Sequence, residues 1–162
     1  MALDFALLTA VTLPEMVGQV CRAIEWVASN LSENVFLCGH SSSAHLAACA
    51  LTRVPSVKAA LLVSGMYDLL PVRLSARNVY VRLDERLEHE YSPIRHTDRI
   101  RCPVTVVWAE KESAEFARQS REFAEKLKAP AHVGNRMNHF EIIETLANPR
   151  SPLAKTALEM IA

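Results

Sequence analysis

The sequence predicts an α/β chain, a parallel sheet covered by helices on both faces, and three observations predict it. Apolar runs of strand length stand at Asn34 to Cys38, Val57 to Ser64 and Val104 to Trp108, and segments with helical periodicity separate them. The first run also ends at Gly39, directly ahead of an alanine-rich stretch without breakers, which makes a strand, a sharp turn and a helix. With 162 residues, half of them hydrophobic, the chain has material for one packed core, so a single domain over 1–162 is expected.

The elements follow in order. Thr12-Leu13-Pro14-Glu15 has capping-box spacing, and Leu13, Met16, Val17, Val20, Cys21, Ile24 and Val27 then recur at helical period. The run Asn34 to Cys38 suits a buried parallel strand, and Ser42 to Arg53 a helix that ends before Pro55. Val57 to Ser64 and Val104 to Trp108 lie beside turn signals at Gly65 and Pro103 and are expected to be central strands. Between them, residues 67–101 are polar and irregular, with Pro71, Pro93 and an expected helix over Asn78 to Leu87; this is an excursion over the sheet. Ser113 to Leu127 is a charged amphipathic helix, Ala131 to Val133 a short last strand, and Phe140 to Leu146 and Leu153 to Ile161 are closing helices.

Composition narrows the partners. The 18 basic and 18 acidic side chains cancel with no run of one sign, which argues against nucleic acid and against an anionic membrane surface as partners. Cys21, Cys38, Cys49 and Cys102 show no C-x-x-C spacing; the first three fall in apolar segments as small buried hydrophobes, and a reduced, cytoplasmic setting is expected. Neither a basic, apolar leader at Met1 to Phe5 nor an apolar run near the ~20 residues of a membrane span is present, so a soluble protein is expected.

Chemistry concentrates at Gly39-His40-Ser41-Ser42-Ser43. A serine hydroxyl needs a base and exposure to substrate, and a strained strand-to-helix turn supplies the exposure. Ser41 sits at that turn with small residues two before and two after it, and the N–H of Ser42 at the helix start is an oxyanion donor. Where a nucleophile occupies such a turn, the acid and then the histidine follow along the chain. His139, in a loop after the last strand, fits the base; His45 and His132 belong to a helix and a strand, His40 is expected to point away, and His89 and His96 to lie on the surface. Glu110 and Glu112 follow the strand that ends at Trp108, and Asp68 follows the preceding one; each is a candidate acid. A competing interpretation is a ligand-binding domain whose Gly39 to Ser43 turn cradles an anion, but only 4 glycines and no G-x-G-x-x-G or G-K-[ST] weigh against it.

Several segments together resemble the arylformamidase (kynurenine formamidase) branch of the α/β-hydrolases, from Thr12 to Ile161. Leu37 to Ala48 is similar to that family's G-H-S-A-G-A-H-L-A-A elbow, with Ser42 and Ser43 in place of Ala and Gly. Val63 to Leu69 with Pro71-Val72, and Ser92-Pro93, resemble the segments that open and close its excursion. Glu112 to Ser120 resembles D/E-S-P-E-F-x-R-Q-S, and Asn138-His139-Phe140-Glu141 resembles N/D-H-F-E. The resemblance implies an α/β-hydrolase-type sheet and a Ser41, Glu112, His139 triad, selecting Glu112 over Glu110. It also implies hydrolysis of N-formylkynurenine or a related formamide or small ester without a metal or organic cofactor.

Members of that family carry an H-G-G loop whose amides complete the oxyanion hole, and this sequence contains no H-G-G. The resemblance therefore places the first strands and that loop outside these 162 residues. The strand at Asn34 to Cys38 is then expected at a sheet edge, covered by another chain or by Met1 to Thr9, or else open to self-association into a homo-oligomer. An alternative function follows from the same departures: a weakly active or inactive homologue serving as an interaction module.

Overall fold

A computed structural model describes residues 1–162. Helix α1 spans Leu13–Asn30, strand β1 Val35–His40, helix α2 Ser42–Leu51 and strand β2 Val57–Val63. The excursion holds three short helices, α3 Leu70–Arg73, α4 Asn78–Val81 and α5 Glu85–Glu90, then 3-10 turns at Pro93–Arg95 and Thr97–Arg99. Strand β3 Val104–Ala109, helix α6 Ala114–Leu127, strand β4 Ala131–Gly134 and helices α7 Glu141–Glu144 and α8 Pro152–Ile161 complete the chain. The four strands are all parallel in the order β1-β2-β3-β4, so β2 and β3 are central and β1 lies at an edge. This is the parallel sheet that the sequence predicts.

Side-chain alternation divides the interior into two layers. Ala60 and Leu62 of β2 and Val104, Val106 and Trp108 of β3 face a large cluster shared with α1, α2 and α6. Leu61, Val63, Val107 and Ala109 face the opposite way, onto Ile142 of α7 and Leu153 of α8. Both sheet faces are thus covered, which explains why these strands are continuous apolar runs rather than alternating ones. Each fully buried leucine or valine among them contributes roughly 1.5–3 kcal/mol by leaving water.

Local chemistry sets the boundaries. Thr12 caps α1 reciprocally with Glu15: the Thr12 hydroxyl accepts the Glu15 N–H at 3.4 Å, and the Glu15 carboxylate accepts the Thr12 N–H at 2.7 Å. The expected helix over Asn78 to Leu87 is instead two helices. Arg82 turns left-handed at φ 58°, the Asn78 amide clamps both backbone groups of Leu83, and Asp84 caps α5 through the Leu87 N–H at 2.7 Å.

Three other expectations change. Cys38 is exposed, because it lies on the thinly covered side of an edge strand. His96 is buried, its Nε2 3.0 Å from the His89 carbonyl. Met1 to Thr9 adds no strand to β1; Leu3, Phe5 and Leu8 pack instead against the large cluster, and the Ala6 N–H donates to Gln19 Oε1 at 2.9 Å. No helix is long and apolar enough to cross a membrane.

His45 of α2 couples the core to pH. Its ring is buried, Nε2 lies 2.8 Å from the Tyr91 carbonyl and 3.3 Å from Cys49 Sγ, and so it ties α2 to the end of α5. Burial lowers its pKa from 6.5 to about 4. The unfolded chain therefore binds the proton first, so the folded state loses stability as pH falls from 6.5 to about 4, by roughly 3 kcal/mol from this group. Urea midpoints measured across that window should fall for the wild type, and His45→Gln should make the fall shallower.

Candidate active site

The carboxyl ends of parallel strands gather at one edge of a sheet, and ligands in such folds bind there. The register brings four segments to this edge. His40 is paired with Val63, the Ser41 N–H donates to the Val63 carbonyl at 2.9 Å, and the Ser64 N–H donates to the Val107 carbonyl at 2.7 Å. On the far side Ala109 pairs with Gly134, and the Lys111 N–H reaches the Met137 carbonyl at 2.9 Å. The residues that follow β1, β3 and β4 by one, three and five positions are Ser41, Glu112 and His139.

Ser41 has φ 57° and ψ −121°, outside the ordinary regions for a side-chain-bearing residue, at a cost of about 1–3 kcal/mol. The turn is tight because α2 begins immediately. A Cβ on Gly39 would sit 2.6 Å from the Ser43 carbonyl oxygen and 2.8 Å from Ala44 N and Cα. What crowds Gly39 is the backbone of Ser43, not its side chain, so serine fits where the resembling elbow has glycine. The Ser42 N–H, at the first position of α2, has no partner inside the helix.

The three side chains meet in one line. His139 Nε2 is 2.9 Å from Ser41 Oγ, and His139 Nδ1 is 2.6 Å from Glu112 Oε1. The Glu112 side chain is 1% exposed, so its partner is almost wholly desolvated on that side. Glu110 is turned elsewhere, its carboxylate accepting the Arg136 N–H at 2.6 Å, and Asp68 accepts the Leu70 N–H and faces Arg95 and Arg118. Geometry therefore joins Ser41, His139 and Glu112, and leaves the other two carboxylates out.

The surrounding residues hold this line in place. Asn138 Oδ1 accepts the N–H groups of Phe140 and Glu141, while Glu141 Oε2 accepts the Asn138 N–H at 2.8 Å, fixing the loop that presents His139. Ser113 caps α6, Phe116 lies 5.0 Å from the His139 ring, and Gln119 Oε1 accepts the Tyr67 and Asp68 N–H groups at 2.6 and 2.8 Å. The spacing in Glu112 to Ser120 thus supplies one carboxylate bonded to His139, one cap, one ring beside His139 and one side chain that holds the loop after β2.

His40 contradicts its expectation. Its Nε2 is 2.8 Å from the His139 carbonyl and the two rings are 4.6 Å apart, so it points towards the site. Strand alternation suggested the reverse, but Ser41 leaves the strand conformation, and the period-two rule ends at His40. Burial lowers the pKa of His40 below its ordinary value, and the hydrogen bond to the His139 carbonyl opposes that shift only in part.

Two cavities lie against chain neighbours of Ser41 and Glu112, Ser42 in one case and Ser113 in the other. One of about 380 Å³ lies against Ser42, walled by Phe5, Leu8, Leu13, Met16 and Leu46. A smaller one, about 190 Å³, lies beside Ser113 and Phe116. They share Met66, Val72 and Arg77. No group of three or more His, Cys, Asp or Glu side chains is arranged to hold a metal ion.

No protein-family model matches the chain. Curated relatives do: it is 34% identical to kynurenine formamidase from Danio rerio and 32% identical to that from Salmo salar, over 90% of this chain in both cases. The chain spans 56% of the length of each. Among solved structures, a protein from Silicibacter sp. described as a thioesterase superposes with TM-score 0.87 at 25% identity, over 94% of this chain and 61% of that one. A thermostable carboxylesterase from a metagenomic library superposes with TM-score 0.75 at 18% identity, over 97% and 66%. By fold the chain is of the α/β-hydrolase type, and by sequence it is similar to the kynurenine formamidases over part of their length.

Proposed function

We propose that the protein is a serine hydrolase of the arylformamidase type, acting on N-formylkynurenine or a related formamide or small ester. The observation that carries this is the continuous contact from Glu112 through His139 to the Ser41 hydroxyl, at 2.6 and 2.9 Å, with Ser41 on a strained turn. Sequence similarity to kynurenine formamidases over 90% of the chain supports the substrate class.

In this mechanism His139 Nε2 takes the Ser41 proton as Oγ attacks the formyl carbon. Glu112 holds Nδ1–H and stabilises the imidazolium. The oxyanion of the tetrahedral intermediate lies at the start of α2, where the Ser42 N–H donates to it. When the C–N bond breaks, His139 returns the proton to the departing aryl amine, leaving a formyl ester on Ser41. Water, deprotonated by His139, then releases formate and restores the hydroxyl.

His40 acts in this scheme as a positioning residue, since its hydrogen bond links the end of the nucleophile strand to the backbone of the base. Turnover followed by kynurenine absorbance should disappear in Ser41→Ala and His139→Ala and fall about 10,000-fold in Glu112→Gln. His40→Ala should lower kcat by about 10- to 100-fold with little change in KM, and His40→Gln, which keeps an N–H donor, should recover much of it. A folded wild type without turnover of N-formylkynurenine or p-nitrophenyl acetate would instead favour the interaction-module interpretation.

Self-association is part of the same proposal. β1 is paired on one side only, by β2, so its outer edge carries unpaired backbone groups that a second copy can bind. Light scattering should show mass rising with concentration; a strict monomer at all concentrations would contradict it.

A further inference from the structure

The two cavities adjoin at their shared residues Met66, Val72 and Arg77, bordering one cleft, and Ser42, next to Ser41 in the chain, lines the larger of the two. The walls near Ser42 are apolar, and the charged side chains bordering the cleft are Arg77 and Glu115. Glu115 is already satisfied: its oxygens accept from Arg118 Nη2 at 2.5 Å, Arg118 Nε at 3.0 Å and Gln119 Nε2 at 2.8 Å, and these bonds hold its carboxyl below the ordinary range. His45 contributes no charge at neutral pH, because burial lowers its pKa to about 4.

Arg77 differs from its neighbours. Arg73 pairs with Glu85 and Glu88, Arg95 with Glu88 and Asp68, and Arg118 with Asp68, Glu115 and Glu122. The Arg77 guanidinium makes no ion pair, and the hydrogen bonds at this residue are backbone ones. Its N–H donates to Ser75 Oγ at 3.2 Å, and its carbonyl accepts from Tyr80 and Val81 at 3.1 Å each. The backbone is fixed at the start of α4, while the permanently charged side chain of a residue that lines both cavities is left without a partner.

We propose that Arg77 is the anion anchor of this cleft, binding the carboxylate of a substrate whose aromatic or aliphatic body fills the apolar cavity beside Ser42. This rests on Ser41 being the reacting serine, and it adds the feature that selects among formamides and esters. An apolar wall binds any body of suitable size, whereas one unbalanced cation favours a leaving group with a negative end. Being exposed to solvent, the contact is sensitive to ionic strength.

The test separates binding from chemistry. On Ser41→Ala protein, calorimetry compares N-formylkynurenine with its primary carboxamide, which keeps the aryl formamide and the ammonium but loses the anion. The acid should bind at least about tenfold tighter, a hydrogen bond to a charged group having that magnitude. Arg77→Gln in the same background should abolish the preference, Arg77→Lys should keep part of it, and 0.5 M salt should shrink it. Equal affinities for the two ligands, or a preference that survives Arg77→Gln, would overturn the anchor. Discrimination by Arg77 without turnover in the wild type would leave the anchor standing and overturn the reaction assigned to Ser41.

Discussion

The close passage of α2 across the end of β1 is the constraint on which the site depends. Because Gly39 lacks a Cβ, the backbone of Ser43 and Ala44 can lie within 2.6–2.8 Å of where one would be. That approach leaves Ser41 at φ 57° and starts α2 at the next residue. The strain is held because every residue of α2 from Ala44 to Leu51 is buried and β1 is paired in parallel with β2 along its length. Once this junction is set, the register of β2, β3 and β4 brings the loops bearing Glu112 and His139 to the same edge.

The sheet was legible in the sequence for a physical reason. Parallel strands covered on both faces must be apolar at consecutive positions, as at Val57 to Val63 and Val104 to Ala109, and few other elements require that. Helix α1 was equally plain, since Thr12, Pro14 and Glu15 encode its start locally and its buried positions repeat at helical period. Ser41 and His139 could be chosen from turn chemistry and chain order alone. The choice of Glu112 over Glu110 and Asp68 needed the family resemblance, because three loop carboxylates are indistinguishable until the β3–β4 register fixes which one faces the histidine.

What the sequence hid depends on contacts between distant segments. The break between α4 and α5 comes from the Asn78 clamp on Leu83 and the left-handed Arg82, neither of which periodicity registers. The inward turn of His40 depends on where the strand conformation ends, and the burial of His96 on how the excursion folds back on itself. Met1 to Thr9 lies against α1 and the excursion rather than along β1, with Leu3, Phe5 and Leu8 packed on the large core.

These contacts give a physical account of the proposed site: strain at the Ser41 turn, a buried carboxylate behind His139, and His40 bonded to the His139 backbone from the end of β1. The most direct measurement is peptide mapping by mass spectrometry after treatment with a fluorophosphonate, which modifies a serine only when a base activates it. The account predicts a single phosphonyl adduct on Ser41, absent when His139 is replaced. An adduct on another residue, or none on the folded protein, would contradict it.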